Sequence, residues 1–345
     1  MGKIRQSAKT VILMIMLLML ILDSKTAIHG AQEGIRLCLQ AAIPSLFPAM
    51  IISDLMIRNM RQSRIPLISN FFEIMHLPQV ASPYFLAGAI SGYPTGAKLI
   101  GQAYKEGALT KKSAENALYY CSNIGPAFVL GICSPAFSDH SFAIALWIIH
   151  ILSALLVGLL VSSGSCCGTG MIQHQKRSIT EVIKDCTKSM GYISGWIVLF
   201  RVTLQFLSKW FLWMFSAEIA VILSGLLELT NGCTSLGSIS NEQLRFITCS
   251  VILACSGLSI VMQTTTFLKG LSILPYLKGK CIQSVFSIIM SIIFLYALNI
   301  YASHLTAIFA ISLFFIIISF LILLFKKHID FPEQMIYNTK KSLKR

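Results

Sequence analysis

Three charged side chains lie inside apolar stretches of this sequence and are the first candidates for chemistry. Lys98 lies in "SGYPTGAKLIGQAY", Arg201 in "GWIVLFRVTLQFL" and Glu228 in "GLLELTNG". An ionisable group at membrane depth is costly and commonly marks a substrate or ion pathway. Structural roles stay open, because Lys98 can extend its amine toward the membrane surface, Arg201 and Glu228 can form a structural pair, and Glu228 can lie near water.

The composition explains why charges in these places are unusual. The chain has 345 residues, of which 55% are hydrophobic and 12% are charged, and its mean hydropathy is +0.73. Continuous apolar runs such as "LTAIFAISLFFIIISFLILLF" recur along the whole chain. They lack the alternation of the strands in a membrane β-barrel. The sequence therefore predicts an all-α polytopic membrane protein with roughly nine to eleven apolar segments, several of them interrupted.

The net charge of +14 comes mostly from basic residues in end segments and loops. They cluster at the amino terminus, between residues 58 and 64, between residues 176 and 188, and in the final "KKSLKR". This distribution is typical of cytoplasmic flanks beside anionic lipid. We therefore expect the lipid bilayer as a partner, no nucleic acid, and both termini in the cytoplasm.

A polar connector divides the chain near its middle. We expect an N-terminal membrane helix and flank at 1–34, a first transporter repeat at 35–163, a cytoplasmic connector at 164–189, a second repeat at 190–301, and a last membrane helix with a basic tail at 302–345. The two halves correspond weakly, since each places a Ser-Gly pair inside an apolar run, at 91–92 and at 256–257. Paired interruptions of this kind point to the binding site of a transporter with inverted repeats.

Glycines and a proline interrupt the apolar stretch 84–104 repeatedly. Backbone groups freed from a helix cannot face lipid, so they must be buried in protein or line a wet cavity. We therefore predict a re-entrant helical hairpin at 84–104 that turns at "SGYPTG", and a second hairpin near 244–275. A kinked helix whose glycines allow close packing is the alternative. Such a turn would present half-helix N-termini, which favour anions.

The predicted substrate site gathers the turn residues, the charged side chains and the polar groups of nearby broken segments. "CSNIGP" contributes a hydroxyl and an amide, and "GLLELTNG" contributes a carboxylate that could bind a coupling proton or cation. The run Gln263 to Thr266 offers similar groups in the second half. The residues expected to bind substrate are Ser91, Gly92, Thr95, Gly96, Lys98, Ser122, Asn123, Arg201, Glu228, Asn231, Ser256 and Gly257.

Enzymatic and metal-binding motifs do not stand out. The chain has no H-E-x-x-H, no phosphate-binding Gly-Lys-Ser/Thr and no C-x-x-C pair. Its seven histidines never cluster with cysteines or acids at ligand spacing. Several of its ten cysteines lie in apolar segments, where free cysteine behaves as a small hydrophobe. We therefore expect no enzyme activity, no metal and no cofactor.

One long motif carries a family resemblance. "SGYPTGAKLIGQAYKEGALTKKSAENALYYCSNIGPAFVLG", followed by "GLLELTNG" and the Ser-Gly pair at 256–257, resembles the YlbJ family of sporulation integral membrane proteins. The family belongs to the nucleoside-recognition, or Gate, domain group, distantly akin to concentrative nucleoside transporters. The resemblance implies two inverted repeats, each with a re-entrant hairpin and a broken helix, which meet at the membrane midplane. It also implies a role in spore formation, with transport of dipicolinic acid across the outer forespore membrane.

The residues and the resemblance together predict an integral membrane transporter of a small organic anion, with dipicolinic acid as the first candidate. The expected location is the bacterial cell membrane or the outer forespore membrane. A dianion would suit Lys98, Arg201 and the hairpin N-termini. The alternatives are a transporter of nucleoside-type solutes, bound through Asn123, Glu228 and Asn231, and a sporulation membrane scaffold that moves nothing. The sequence departs from the family pattern at "CSNIGP", where a second amide is expected, and in the second hairpin, which lacks Pro and Lys.

Overall fold

The chain folds into a bundle of helices. The computed structural model describes residues 2–62, 66–162, 178–301 and 303–342, and within these ranges all regular secondary structure is helical. The helices are α1 Gly2–Leu22, α2 Ser24–Leu37, α3 Ile43–Gln62, α4 Pro66–Ile74, α5 Ser82–Ser91, α6 Thr95–Lys105, α7 Lys111–Leu118, α8 Pro126–Phe128, α9 His140–Val161, α10 Ile179–Trp210, α11 Ala217–Leu227, α12 Leu229–Thr234, α13 Glu242–Cys255, α14 Gly257–Phe267, α15 Leu274–Tyr301 and α16 His304–Ser342.

Six helical stretches of the described chain are long and apolar enough to cross a membrane. They are Ser24–Ile57, His140–Val161, Ile179–Trp210, Glu242–Phe267, Leu274–Ile300 and His304–Leu323. Three shorter apolar helices accompany them, at Leu13–Leu22, Pro126–Ala136 and Ala217–Leu227. The length and composition of these helices confirm the prediction of an all-α polytopic membrane protein.

Burial separates the centre of the bundle from its periphery. Among the 18 most apolar consecutive residues of His140–Val161, 61% are buried inside the protein, and the same share holds for Glu242–Phe267. The corresponding share in Ser24–Ile57 is 11%. Aromatic rings pack α9, α13 and α15 together, since the ring centroid of Phe246 lies 5.6 Å from that of Phe142 and 5.0 Å from that of Phe294. These three helices form the scaffold behind the broken segments.

The amino-terminal boundary differs from the prediction. A π-helical turn at Cys38–Ala42 joins α2 to α3, so residue 34 lies inside one long helical stretch rather than at a domain boundary. Two glycines explain why the polar α2 packs so firmly. A Cβ atom added at Gly30 would lie 2.8 Å from the Cα of Val202, and one added at Gly34 would lie 2.8 Å from the Cα of Val198. The backbones of α2 and α10 therefore touch.

The last part of the predicted connector at 164–189 is helical. Residues 164–177 of the predicted connector lie outside the described residues, but α10 already begins at Ile179. Ser178 and Glu181 form a capping box, in which the Ser178 hydroxyl accepts a hydrogen bond from the Glu181 N–H at 3.2 Å and the Glu181 carboxylate accepts one from the Ser178 N–H at 2.9 Å. The charged residues between 179 and 189 thus belong to a helix, because this cap sets its start.

Two pairs of short helices turn back on themselves. The first hairpin is α5–α6, which turns at residues 92–94, and the second hairpin is α11–α12, which turns at Glu228. In the second hairpin, a Cβ atom added at Gly232 would lie 2.3 Å from the Cα of Gly225, so the two helices are in backbone contact.

The prediction of a second hairpin near 244–275 is therefore corrected. The stretch 242–267 is long enough for one membrane span and is broken at Ser256, which has a left-handed backbone with φ of 65°. The Ser-Gly pairs at 91–92 and at 256–257 both mark a break in a helix. Such a pair does not determine whether the chain turns back after the break or continues across the membrane. The second hairpin lies earlier, at 217–234.

The glycine contact of the second hairpin predicts a specific cost. Gly232→Ala should destabilise the protein by about 1–3 kcal/mol, because the added methyl group overlaps the backbone of α11. The control is Gly195→Ala on α10, where nothing lies within 4 Å of an added Cβ atom. Thermal unfolding in detergent should show a lower midpoint for the first variant and an unchanged or higher one for the control. Equal midpoints would contradict the packing described here.

Candidate substrate cavity

The turn of the first hairpin depends on one glycine. Gly92 has φ of 83°, a backbone conformation that side chains rarely adopt, and its N–H donates to the carbonyl of Gly88 at 3.1 Å. The carbonyl of Gly92 then accepts from the N–H of Thr95 at 2.9 Å, which starts α6. The tip of the first hairpin is thus hydrogen-bonded within itself and exposes Ser91, Gly92 and Tyr93 to the space beside it.

Each hairpin packs against a break in the segment that follows it. In the first half, a Cβ atom added at Gly125 would lie 2.8 Å from the carbonyl oxygen of Ile90 and 3.1 Å from the Gly92 nitrogen. In the second half, one added at Gly257 would lie 2.8 Å from the carbonyl oxygen of Gly225. The same contact between a hairpin and a broken segment therefore occurs twice.

A cavity of about 630 Å³ lies between the two hairpins. The first hairpin contributes Ser91, Gly92 and Tyr93, and the second contributes Glu228, Leu229 and Thr230. The wall is completed by the break at 124–128, by Gln263 on α14, and by the bend between α2 and α3, which adds Gln40 and Ser45. The lining is mainly apolar with a few polar groups, as in sites for small molecules.

Glu228 supplies the carboxylate of this lining. Its side chain is 2% exposed and accepts hydrogen bonds from the N–H groups of Thr230 at 3.1 Å and Asn231 at 2.7 Å, so it caps the N-terminus of α12. Among the described residues that line the cavity there is no lysine, arginine or histidine. The positive end of α12 is therefore occupied by the protein's own carboxylate.

The structure brings only part of the predicted site together. Ser91, Gly92 and Glu228 line the cavity. Gln263 does so as well, and its amide donates to the hydroxyl of Ser259 at 3.1 Å. The predicted residues that do not line it are Thr95, Gly96, Lys98, Ser122, Asn123, Arg201, Asn231, Ser256 and Gly257. Several of these residues pack against or form hydrogen bonds with the backbone of segments next to the cavity.

The residues of this second group that lack charge have structural contacts. Thr95 begins α6, and a Cβ atom added at Gly96 would lie 2.1 Å from the carbonyl oxygen of Cys121, so Gly96 lets α6 touch the broken segment. The Ser256 hydroxyl accepts a hydrogen bond from the hydroxyl of Tyr276 at 2.8 Å, which holds the break of 242–267 against α15.

Lys98 is buried in an ion cluster away from the cavity. Its side chain is 4% exposed, and its Nζ lies 3.5 Å from an oxygen of Asp185 and 3.9 Å from an oxygen of Asp54. It also donates to the Cys186 sulfur at 3.4 Å. The cluster joins α6 of the first hairpin to α3 and α10, and Lys98 therefore does not extend to the membrane surface.

Arg201 pairs with a different acid from the one predicted. Its guanidinium lies 3.8 Å from the carboxylate of Glu33 on α2, and its side chain is 20% exposed. Among the described residues, Arg201 forms no ion pair within 4.0 Å with the predicted partner, Glu228, and acts on it only over a longer distance. The reason is the glycine contact between α2 and α10, which brings Glu33 next to Arg201 although the two residues are far apart in sequence.

The unwound stretch 119–125 receives its hydrogen bonds from side chains. The Asn123 amide donates to the carbonyl of Tyr120 at 2.8 Å, and the Ile124 N–H donates to the ring nitrogen Nε2 of His150 at 3.2 Å. The Lys280 ammonium donates to the carbonyl of Ser122 at 2.6 Å. Non-helical backbone inside the protein is thus paired by α9 and α15.

Lys280 is a buried charged residue beside the cavity wall that the sequence analysis did not single out. Its side chain is 3% exposed, and it also donates to the hydroxyl of Tyr93 at 2.9 Å and to the Gln283 side chain at 2.6 Å. Its Nζ lies 4.9 Å from the centre of the Tyr93 ring. Lys280 and Gln283 are three residues apart and so lie on the same face of a helix. This spacing of two polar residues in an apolar segment was the sequence signal for a buried polar site.

Comparison with known proteins gives one relative. The chain is similar to the sporulation integral membrane protein YlbJ of Bacillus subtilis (strain 168), with 24% identity in an alignment of 313 residues that covers 76% of this chain and 76% of the relative. No protein-family model and no solved structure matches the chain. The similarity supports the assignment to the YlbJ family that the sequence motifs indicate.

The Lys280 contacts predict a loss of stability on substitution. Lys280→Met removes three hydrogen bonds and leaves the Ser122 carbonyl and the Gln283 side chain buried without this partner, so the free energy of unfolding should fall by about 2–4 kcal/mol. Lys278→Met is the matched control, since Lys278 is exposed two residues earlier on α15. Denaturation in detergent measures both, and a similar stability for the two variants would argue against the network.

Proposed function

We propose that this member of the YlbJ family of sporulation integral membrane proteins is a membrane transporter of a small organic solute, working by alternating access. The observation that carries the proposal is the cavity between the two hairpins. Its volume of about 630 Å³ lies in the range of small-molecule sites, and each hairpin packs against a broken segment. The repeated hairpin contacts support inverted repeats around this site.

An organic anion, with dipicolinic acid as the first candidate, is the substrate that we propose. The buried cation nearest the hairpin tip is Lys280, which is bonded to Tyr93 in the cavity wall. Among the described residues, no carboxylate lies within 4.0 Å of its Nζ, so Lys280 in its protonated form favours an anion on the Tyr93 side of the cavity. The apolar lining suits an aromatic ring.

Glu228 would repel such an anion while it is ionised. Two negative charges in one apolar cavity disfavour each other, and the carboxyl group relieves this cost when it takes up a proton. We infer that Glu228 carries a proton when the anion is bound and releases it when the anion leaves. The proposed cycle is therefore anion and proton movement in the same direction.

A nucleoside-type solute is the second candidate. The observation in its favour is that, in the part of the chain described, the cavity lining holds no cation. The amides of Gln40 and Gln263 and the hydroxyl of Thr230 would bind the hydroxyl groups of a sugar. A membrane scaffold that transports nothing is the remaining alternative.

We propose that the protein lies in the cell membrane or the outer forespore membrane with both termini cytoplasmic, as the basic flanks indicate.

The transport proposal predicts an effect of Glu228→Gln in liposomes that contain the full-length protein. Wild type should take up labelled dipicolinate together with protons, whereas the variant should lose the proton movement and slow uptake about tenfold or more, a factor of ten being about 1.4 kcal/mol. Glu218→Gln, at the first turn of α11 and outside the cavity lining, is the control. The readouts are retained label and an internal pH dye.

Other results of the liposome experiment would decide between the anion transporter, the nucleoside transporter and the scaffold. Uptake of labelled uridine without uptake of dipicolinate would select the nucleoside reading. If neither label accumulates with wild-type protein while deletion of the gene still blocks sporulation, the scaffold reading holds. Unchanged proton movement in Glu228→Gln would sink the role of this carboxyl group.

A further inference from the structure

Three cysteines from distant parts of the chain meet in the interior. Cys133 ends the π-helical turn that extends α8, Cys233 lies on α12 and Cys249 lies on α13. All three side chains are buried, and their sulfur atoms lie within 4.8 Å of one another. The cluster is separate from the cavity lining and joins the first half of the chain to the second hairpin and its broken segment.

The spacing of the sulfur atoms fits a metal ion at their centre. A zinc–sulfur bond is about 2.3 Å long, and copper(I)–sulfur bonds are of similar length, so three sulfurs around one such ion lie about 4.0 Å apart. Sulfur atoms that already lie within 4.8 Å reach this geometry through small rotations of side chains. No movement of the helices is required.

The donor set selects the kind of ion. Thiolate ligands prefer soft cations such as Cu(I) and Zn(II) over the hard ions Mg²⁺ and Ca²⁺. In the described part of the chain, this group includes no histidine or carboxylate as a fourth ligand. Zinc sites in proteins are almost always four-coordinate, whereas Cu(I) accepts three sulfur ligands.

We propose that Cys133, Cys233 and Cys249 form a three-sulfur site for Cu(I). Binding forms copper–sulfur bonds and releases one proton for each thiol that becomes a thiolate, with no change in oxidation state. The bound ion links the π-helical turn of the first half to α12 and α13 of the second. It therefore holds the two halves in the arrangement described and slows any motion of one against the other.

The test uses the full-length protein in detergent, with Cu(I) supplied from a chelated stock under anaerobic conditions. The background carries Cys166→Ser, Cys167→Ser, Cys255→Ser and Cys281→Ser, so that only buried cysteines remain in the chain. We expect one copper per chain by elemental analysis, and X-ray absorption with sulfur neighbours alone. Cys133→Ser, Cys233→Ser and Cys249→Ser, separately, should each reduce the bound copper several-fold, whereas Cys186→Ser, in contact with Lys98, should retain it.

The folding of each variant is checked, so that loss of copper can be assigned to loss of a sulfur ligand and not to unfolding. Each variant is compared with its parent by size-exclusion profile and thermal midpoint without metal, and Cys→Ala versions replace any Ser variant that unfolds. Copper should raise the midpoint of the parent and leave that of the variants unchanged. Retention of copper by a variant that carries Cys133→Ser, Cys233→Ser and Cys249→Ser together would overturn the proposal. So would absence of copper from the parent, or nitrogen and oxygen neighbours in the absorption spectrum. So would a site that takes up Zn(II) in preference to Cu(I).

Discussion

Backbone that leaves the helix in a membrane protein must find other hydrogen-bond partners, and the structure is arranged around this constraint. The stretch 119–125 runs unwound through the interior, where lipid and bulk water offer it nothing. His150 and Lys280 supply an acceptor and a donor to it from two central helices. The polar side chains of α9 and α15 thus have a structural reason to lie in apolar spans, since they pair the backbone of the break beside the cavity.

Glycine contacts determine how close the broken segments approach the hairpins. Gly125 and Gly257 each lie where a side chain would strike the backbone of a hairpin, and Gly96 lies against the carbonyl of Cys121. Close approach of backbones replaces interdigitated side chains at these points. The broken segments and the hairpins are therefore tightly packed against each other beside a cavity whose lining is mainly apolar.

The sequence was sufficient for the class of fold and for the position of the breaks. Apolar length gave the helices, and "SGYPTG", "CSNIGP" and the Ser-Gly pair at 256–257 marked the chain's irregular points, because glycine and proline act locally. Which segments turn back was not predictable in the same way. The second hairpin turns at Glu228, a residue whose cap is visible only once α12 is known to begin there.

Long-range pairing was also beyond the sequence. Arg201 has Glu33 as its partner because two glycines of α2 meet α10, and Lys98 is held by Asp54 and Asp185 rather than by solvent or cavity. The hydrophobic pattern of a sequence reveals a charged residue within an apolar run. It does not reveal which helix packs against that residue in the folded protein. For that reason the site predicted from charge alone was only partly the site observed.

The position of Tyr93 has a consequence for communication within the molecule. Its ring forms part of the cavity wall, while its hydroxyl is bonded to Lys280, which also holds the carbonyl of Ser122. A molecule that displaces this ring on entering the cavity would disturb its bond to the lysine that also holds the unwound stretch. One lysine therefore connects the wall of the cavity to the backbone of the broken segment.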